Sequence, residues 1–264
     1  MRRAIPPDSS RSGTPAEAGV SQHEAVGDLH FAADNFAGAL DAYRAALAEA
    51  QPGALHERVR LLLRISTSLL RRSELPEALA AAEQAREASR VLADSGVNAR
   101  IANRFAAVHH DAARYRRSLR YARYAYLALR GSDDHRTVAS ASLQIGANLS
   151  RLGRPQDAVE WMQSAVATFR RIDDSDGLVA ALNHLGIIYK NLREWREAIR
   201  FLEQALELSE RKGLFGHMRM HHQNLGLIRY RLGQWDMADE HFRQSLRISR
   251  ELSHQQNEAT ALLA

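Results

Sequence analysis

His217, His221 and His222 include a pair spaced i, i+4, which on a helix puts two imidazoles on one face within reach of one metal ion. No carboxylate or thiolate stands at helical spacing to complete such a site, so these read as solvent-facing or groove-rim histidines, and no metal is expected. Asp173-Asp174-Ser175-Asp176-Gly177 opens like a calcium loop, but the position due a bidentate Glu holds His184, and the stretch reads as a turn and helix cap. From Arg114 to Tyr124, cations alternate with aromatics as they do in single-strand binders. The arginines nevertheless fall mostly on one outward face, which is the pattern of a solvated helix surface. Phosphate-cradling glycine loops, H-E-x-x-H and G-x-S-x-G are absent. With Cys 0, thiolate catalysis, disulfides and Cys-ligated zinc are excluded. The sequence therefore predicts no enzyme and no cofactor.

Charge is the other chemical resource. The chain has 264 residues and a formal charge of +5. Between Pro52 and Gly131 stand 15 arginines against seven acids, a local +8 that leaves the rest near −3. Such a field steers anionic partners. Near Met1, Arg2 and Arg3 lead into Pro6 and Pro7 instead of an apolar stretch, so no signal peptide is read. Nor does any apolar run approach the ~18 residues of a membrane span. A cytoplasmic protein is expected, with no membrane partner.

The elements that position these residues repeat. Small residues stand at Gly27, Ser66, Ala106, Gly146, Gly186 and Gly226, at intervals of 39 and then four times 40. Twelve residues after each comes a second small one: Ala39, Ala78, Ser118, Ala158, Ala198 and Ala238. A bulky or ring-bearing residue precedes that one by three (Phe36, Leu75, Tyr115, Pro155, Trp195, Trp235), and an Ala or Ser follows it by seven. A fixed period of this length marks a stacked array. Each repeat reads as two antiparallel helices, with small residues where they cross and the bulky residue filling the wedge where they diverge. Ala82 and Ala122 replace larger residues in the second and third repeats, so those pairs should pack with smaller side chains. Turn signals lie between repeats at Pro52-Gly53, Ser95-Gly96, Gly131 to Asp134, Asp173 to Gly177 and Lys212-Gly213.

Residues 1–13, rich in Pro, Ser and Arg, read as a disordered tail. Thr14-Pro15-Ala16-Glu17 is a helix start with a capping box. Residues 14–254 hold six helix pairs. Residues 255–264 read as the start of a seventh repeat or as a C-terminal cap helix, because Ala261-Leu262 falls 80 residues after Ala181-Leu182. Without a polar cap, a piece of a longer protein is the preferred expectation.

Leu185-Gly186, Tyr189, Trp195, Ala198, Leu202 and Ala205 carry the pattern W-x2-L-G-x2-Y, then A-x3-F, then A. The chain thus resembles tetratricopeptide repeat (TPR) proteins over roughly residues 15 to 252, with a period longer than the usual ~34. The resemblance implies an all-α fold, a right-handed α-α superhelix (TPR solenoid) of six helix pairs plus a partial C-terminal helix. Asn-His-Leu-Gly at 183–186 and Gln-Asn-Leu-Gly at 223–226 look like repeats appended to bacterial transcriptional activators and signalling ATPases.

In such arrays the first helices line a concave face. Carried over by position, the polar groove residues are Arg60, Arg64, Thr67 and Arg71, then Asn103, Arg104, His110 and Asp111. Gln144, Ser150 and Arg151 follow, then Asn183, His184, Lys190 and Asn191, and last Gln223, Asn224, Tyr230 and Arg231. Asn and Gln can satisfy an extended peptide backbone, and arginines add bidentate bonds to carboxylates or phosphates. The lysine clamp of chaperone-binding TPR domains is unmatched, since its positions hold Glu24 and Leu63. The expected function is a non-enzymatic scaffold for a protein or peptide, acidic segments included, as the regulatory or sensor array of a bacterial signalling protein. The alternatives are nucleic-acid binding through the Arg-rich second and third repeats, which is less favoured, and self-association through the C-terminal end.

Overall fold

In the computed structural model the backbone is described for residues 15–262 and the side chains for 19–252. The expected tail at 1–13 and the Thr14 cap lie outside the described residues. Among those residues the secondary structure is helical throughout, and none of the helices is long and apolar enough to cross a membrane. Two compact units divide the chain, Met1–Ala112 and Ala113–Ala264.

The first unit holds α1 (Pro15–Ala32), α2 (Phe36–Glu49), α3 (Leu55–Arg71), α4 (Leu75–Ser89) and α5 (Ser95–Asp111). Each helix packs on the next, and α3 also touches α5. Its core gathers Val20, Leu40, Tyr43, Leu61, Ile65 and Leu69. The second unit holds α6 (Tyr115–Leu129), α7 (His135–Arg151), α8 (Pro155–Arg171), α9 (Ser175–Asn191), α10 (Trp195–Lys212), α11 (Phe215–Arg231) and α12 (Trp235–Leu262). Here α7 touches α9 and α9 touches α11, so the first helices of successive pairs form one layer. α12 runs to Leu262 without a turn near residue 254, where the sequence placed a boundary.

The small residues do what their spacing requires. Ala39, Ala78, Ser118, Ala158 and Ala198 are fully buried and Ala238 nearly so. A Cβ added to Gly186 would lie 2.6 Å from Leu202 Cγ and 3.2 Å from the Ala198 carbonyl oxygen. The glycines at 27, 146 and 226 likewise lie against Tyr43, Met162 and Phe242, each sixteen residues later. Where a Ser replaces Gly, the residue sixteen later shrinks: Ser66 is followed by a fully buried Ala82, and the Ser66 hydroxyl donates to the Ala78 carbonyl at 2.8 Å. At these crossings a glycine faces a large side chain, and a bulkier first residue faces a small one, as close packing requires. Trp195 packs in the last core cluster with Tyr189 and Leu202. Trp235 departs from the wedge role: it is 61% exposed, with its ring edge-on to Tyr230 at 4.9 Å.

Seven residues after each first small residue the backbone turns left-handed, at Asp34, Ser73, Ala113, Gly153, Arg193 and Gly233, with φ between 54° and 80°. This ends the first helix and reverses the chain. Non-glycine residues there pay roughly 1–2 kcal/mol in Cβ–carbonyl strain. Arg193, at φ 62°, is the plainest case, so Arg193→Gly is expected to raise stability by about 1 kcal/mol in urea unfolding, despite the entropy Gly adds to the unfolded chain.

Helix starts follow local chemistry. Asp94 accepts from the Gly96 and Val97 amides, Asp134 from Thr137, and Asp174 from Gly177 at 3.1 Å. The acidic loop at 173–177 is thus a turn and helix cap, and Arg136 pairs with Asp174 at 3.0 Å. In the second unit the fully buried Asn148 donates to the Ser118 hydroxyl at 2.6 Å, which gives the one Ser among the second small residues a polar partner.

Candidate partner-binding surface

In the second unit the first-helix stripe assembles a polar chain across two repeats. Lys190 donates to Asn224 Oδ1 at 3.4 Å, and Asn224 Nδ2 donates to Asn183 Oδ1 at 3.4 Å. His221 Nδ1 lies 3.2 Å from the same Asn183 oxygen. Burial, and then the nearby Arg151, push the Lys190 ammonium below its ordinary pKa. Asn183 is 5% exposed, while Lys190, Asn224 and His184 are half-buried. Gln144, one repeat earlier, is half-buried and its Oε1 has no hydrogen-bond partner among the described residues. Arg151, Asn191, Gln223, Tyr230 and Arg231 are exposed. The sequence-selected residues thus fall into two groups, a connected network of Asn183, Lys190 and Asn224 and a set of separate exposed side chains around it.

The histidines require a correction. His221 is fully buried, not on the surface or groove rim. Burial and then the neighbouring His217 and His222 depress its pKa to about 3, so its ring is neutral in the fold. His222 Nδ1 lies 3.0 Å from His241 Nδ1 across α11 and α12, and burial lowers both pKa values. The signal was available in the repeat: positions 61, 101, 141 and 181, equivalent to 221, are Leu, Ile, Ala and Ala, all buried. His241 was not among the sequence candidates, because it stands on a second helix.

In the first unit the arginines are not equivalent. Arg60 donates to Glu24 at 2.7 Å, and Arg64 pairs with Asp28 at 3.1 Å while its guanidinium lies 5.9 Å from the Tyr43 ring centroid. Tyr43 in turn donates to Asp28 at 2.6 Å, so burial and that carboxylate push its phenol well above its ordinary pKa. Arg60 and Arg64 are therefore partly neutralised within the fold, which narrows the set of inner arginines open to a partner. Among the described residues Arg71 and Arg104 are in no ion pair; Arg71 lies over Phe36 with its guanidinium 5.9 Å from the ring centroid, and Arg104 Nε is buried with no hydrogen-bond partner among those residues. Asn103 is half-buried beside Arg104 on α5. Arg114, at the N-cap of α6, and Arg116, Arg117, Arg120 and Arg123 on it are exposed, as a solvated face should be.

Two family models, both described as tetratricopeptide repeat, match residues 137–211 and 222–256. Compared by sequence with curated proteins, the chain matches none. Among solved structures it is similar to the signal transduction ATPase with numerous domains that carries a tetratricopeptide repeat sensor, from Pyrococcus horikoshii. That similarity has a TM-score of 0.70 at 14% identity, over 92% of this chain and 36% of that one. It is also similar to the Rap protein complexed with competence and sporulation factor, with a TM-score of 0.67 at 16% identity, over 92% of this chain and 78% of that one. A third is BtubC from P. vanneervenii, with a TM-score of 0.63 at 16% identity, over 91% and 93% of the two chains. These likenesses establish the fold. The matched stretches hold the Leu-Gly, Trp and Ala positions whose packing is described above, and the chain is a tetratricopeptide-repeat protein of all-α, superhelical fold.

Proposed function

We propose that this chain is a non-enzymatic interaction scaffold that holds a protein or peptide along the polar stripe of its first helices, in the cytoplasm, as the sensor or regulatory array of a bacterial signalling system. The observation that carries this reading is the network Lys190–Asn224–Asn183, half-buried and continuous over two repeats. Amide side chains held in place by one another still keep donors and acceptors for a peptide backbone, and their ordering cost is met before the partner arrives. Gln144 adds an acceptor with no partner of its own. The similar Rap structure, by its description, holds competence and sporulation factor, which agrees with a scaffold role for this fold.

The Arg-rich stretch from Pro52 to Gly131 favours acidic segments in the partner. Nucleic-acid binding through the same arginines is the competing reading, and self-association through the C-terminal end is another. Salt separates the first two, since phosphate-backbone binding weakens by orders of magnitude between low and moderate salt. The test is capture of a partner by the immobilised chain, compared with a Gln144→Ala, Lys190→Ala, Gln223→Ala variant of unchanged circular dichroism. At least a tenfold loss of capture is expected. Equal capture by the variant would move the binding surface off this stripe.

A further inference from the structure

Of the first unit's four inner arginines, two follow a charge rule and two do not. Arg60 and Arg64 each find an acid 36 residues earlier, Glu24 and Asp28. The same step back from Arg104 reaches Ser68, whose hydroxyl donates to the Arg64 carbonyl instead. From Arg71 it reaches Asn35, which is engaged as the N-cap of α2. Among the described residues, two guanidiniums on touching helices, α3 and α5, are thereby left without a counter-charge in contact, and Arg104 Nε is a buried donor with no acceptor. A buried donor left unsatisfied is costly, so such a group in a native fold calls for a ligand or another cause.

We propose that Arg71 and Arg104 form a binding site for a phosphoryl dianion carried by a peptide partner. Two fixed positive charges match a phosphoryl group of ≈ −1.5 to −2 better than a single carboxylate, which would leave one guanidinium uncompensated. Arginine's planar fork also suits bidentate contact with phosphate oxygens. Arg64 bounds the site on α3 but is already paired with Asp28. Asp111, one repeat on from Arg71, is within electrostatic range of both arginines without pairing with either, and His110 stands beside it. Its carboxylate therefore sets the site's affinity by opposing an incoming anion. Arg104 stays protonated at neutral pH even though burial, Arg71 and Arg64 push its pKa down to about 10.

This site deepens the scaffold reading by naming the chemistry that one part of the stripe accepts, and rests on it only for the peptide that presents the group. The experiment therefore uses inorganic phosphate and the full chain, with no partner. Calorimetric titration at constant ionic strength is expected to show saturable phosphate binding, about tenfold weaker in Arg104→Gln and in Arg71→Gln. Arg117→Gln on the exposed face of α6 should leave it unchanged. Asp111→Asn should tighten binding several-fold, a gain that a misfolded protein would not show. Absence of phosphate binding in wild type and Asp111→Asn alike would overturn the site, as would equal binding by Arg104→Gln. Acetate bound as tightly as phosphate, and lost in the same variants, would overturn the phosphoryl assignment in favour of a carboxylate. A failed partner capture with intact phosphate binding would count against the scaffold and not against this site.

Discussion

Adding Gly186→Ala to Leu202→Ala is expected to restore part of the stability that Leu202→Ala removes, although Gly186→Ala alone destabilises. Leu202 is fully buried, and truncating it leaves a cavity at a cost of roughly 2–5 kcal/mol. In the wild-type background a methyl group on Gly186 would stand 2.6 Å from Leu202 Cγ, a branch point that cannot swing aside. Overpacking of that kind costs about 1–3 kcal/mol, against a gain of about 1 kcal/mol in helix propensity. Once Leu202 is an alanine the obstacle is gone, and only the Ala198 carbonyl at 3.2 Å remains close. The double variant then carries Ala and Ala at this crossing, as residues 106 and 122 do in the third repeat. A double-mutant cycle in urea should yield a favourable coupling of about 1–3 kcal/mol. Strict additivity would mean that the two positions do not share one volume.

That cycle also tests how much of the fold the sequence discloses. Register was legible because Gly, Ala and Ser at the helix crossings are dictated by backbone approach, and nothing bulkier substitutes without a matching reduction opposite. The six left-handed turn residues were not all legible, because Asp34, Ser73, Ala113 and Arg193 adopt a conformation that only Gly153 and Gly233 announce. There the tight reversal between packed helices overrides local preference.

The candidate surface was legible as a stripe and not as a set of contacts. Offsets along a helix say which side chains share a face, and Asn183, Lys190 and Asn224 did come together. They do not say which charges are answered by the preceding repeat. Arg60 and Arg64 looked like free cations until the acids 36 residues earlier were placed against them. His221 was misplaced for a different reason: its spacing to His217 suggested a surface pair, whereas its repeat equivalents are core residues. Comparing each position with its counterparts in the array would have separated the two cases.

His221 gives the protein a predictable weakness to acid. Its folded pKa is about 3 and that of an unfolded chain about 6.5, so below pH 6.5 the unfolded state binds a proton that the folded state refuses. Stability is therefore unaffected above pH 6.5 and is lost progressively as pH falls from there toward 3. Each pH unit inside that window costs about 1.4 kcal/mol, which makes about 2 kcal/mol between pH 7 and pH 5 from this group alone. His222 and His241 shift in the same direction, by burial first, then by Arg247 for His222 and by His222 and Arg229 for His241, and they add to the loss. Glu240 opposes it for both and Glu203 for His241. All three tryptophans, Trp161, Trp195 and Trp235, lie in the second unit, so their fluorescence reports on the unit that contains these histidines. Urea unfolding followed in that way should show a stability at least about 2 kcal/mol lower at pH 5 than at pH 7, and His221→Gln should flatten much of the dependence. A wild-type protein equally stable at both values would mean that His221 can take up a proton where it sits, and that the α9–α11 interface admits water around its ring.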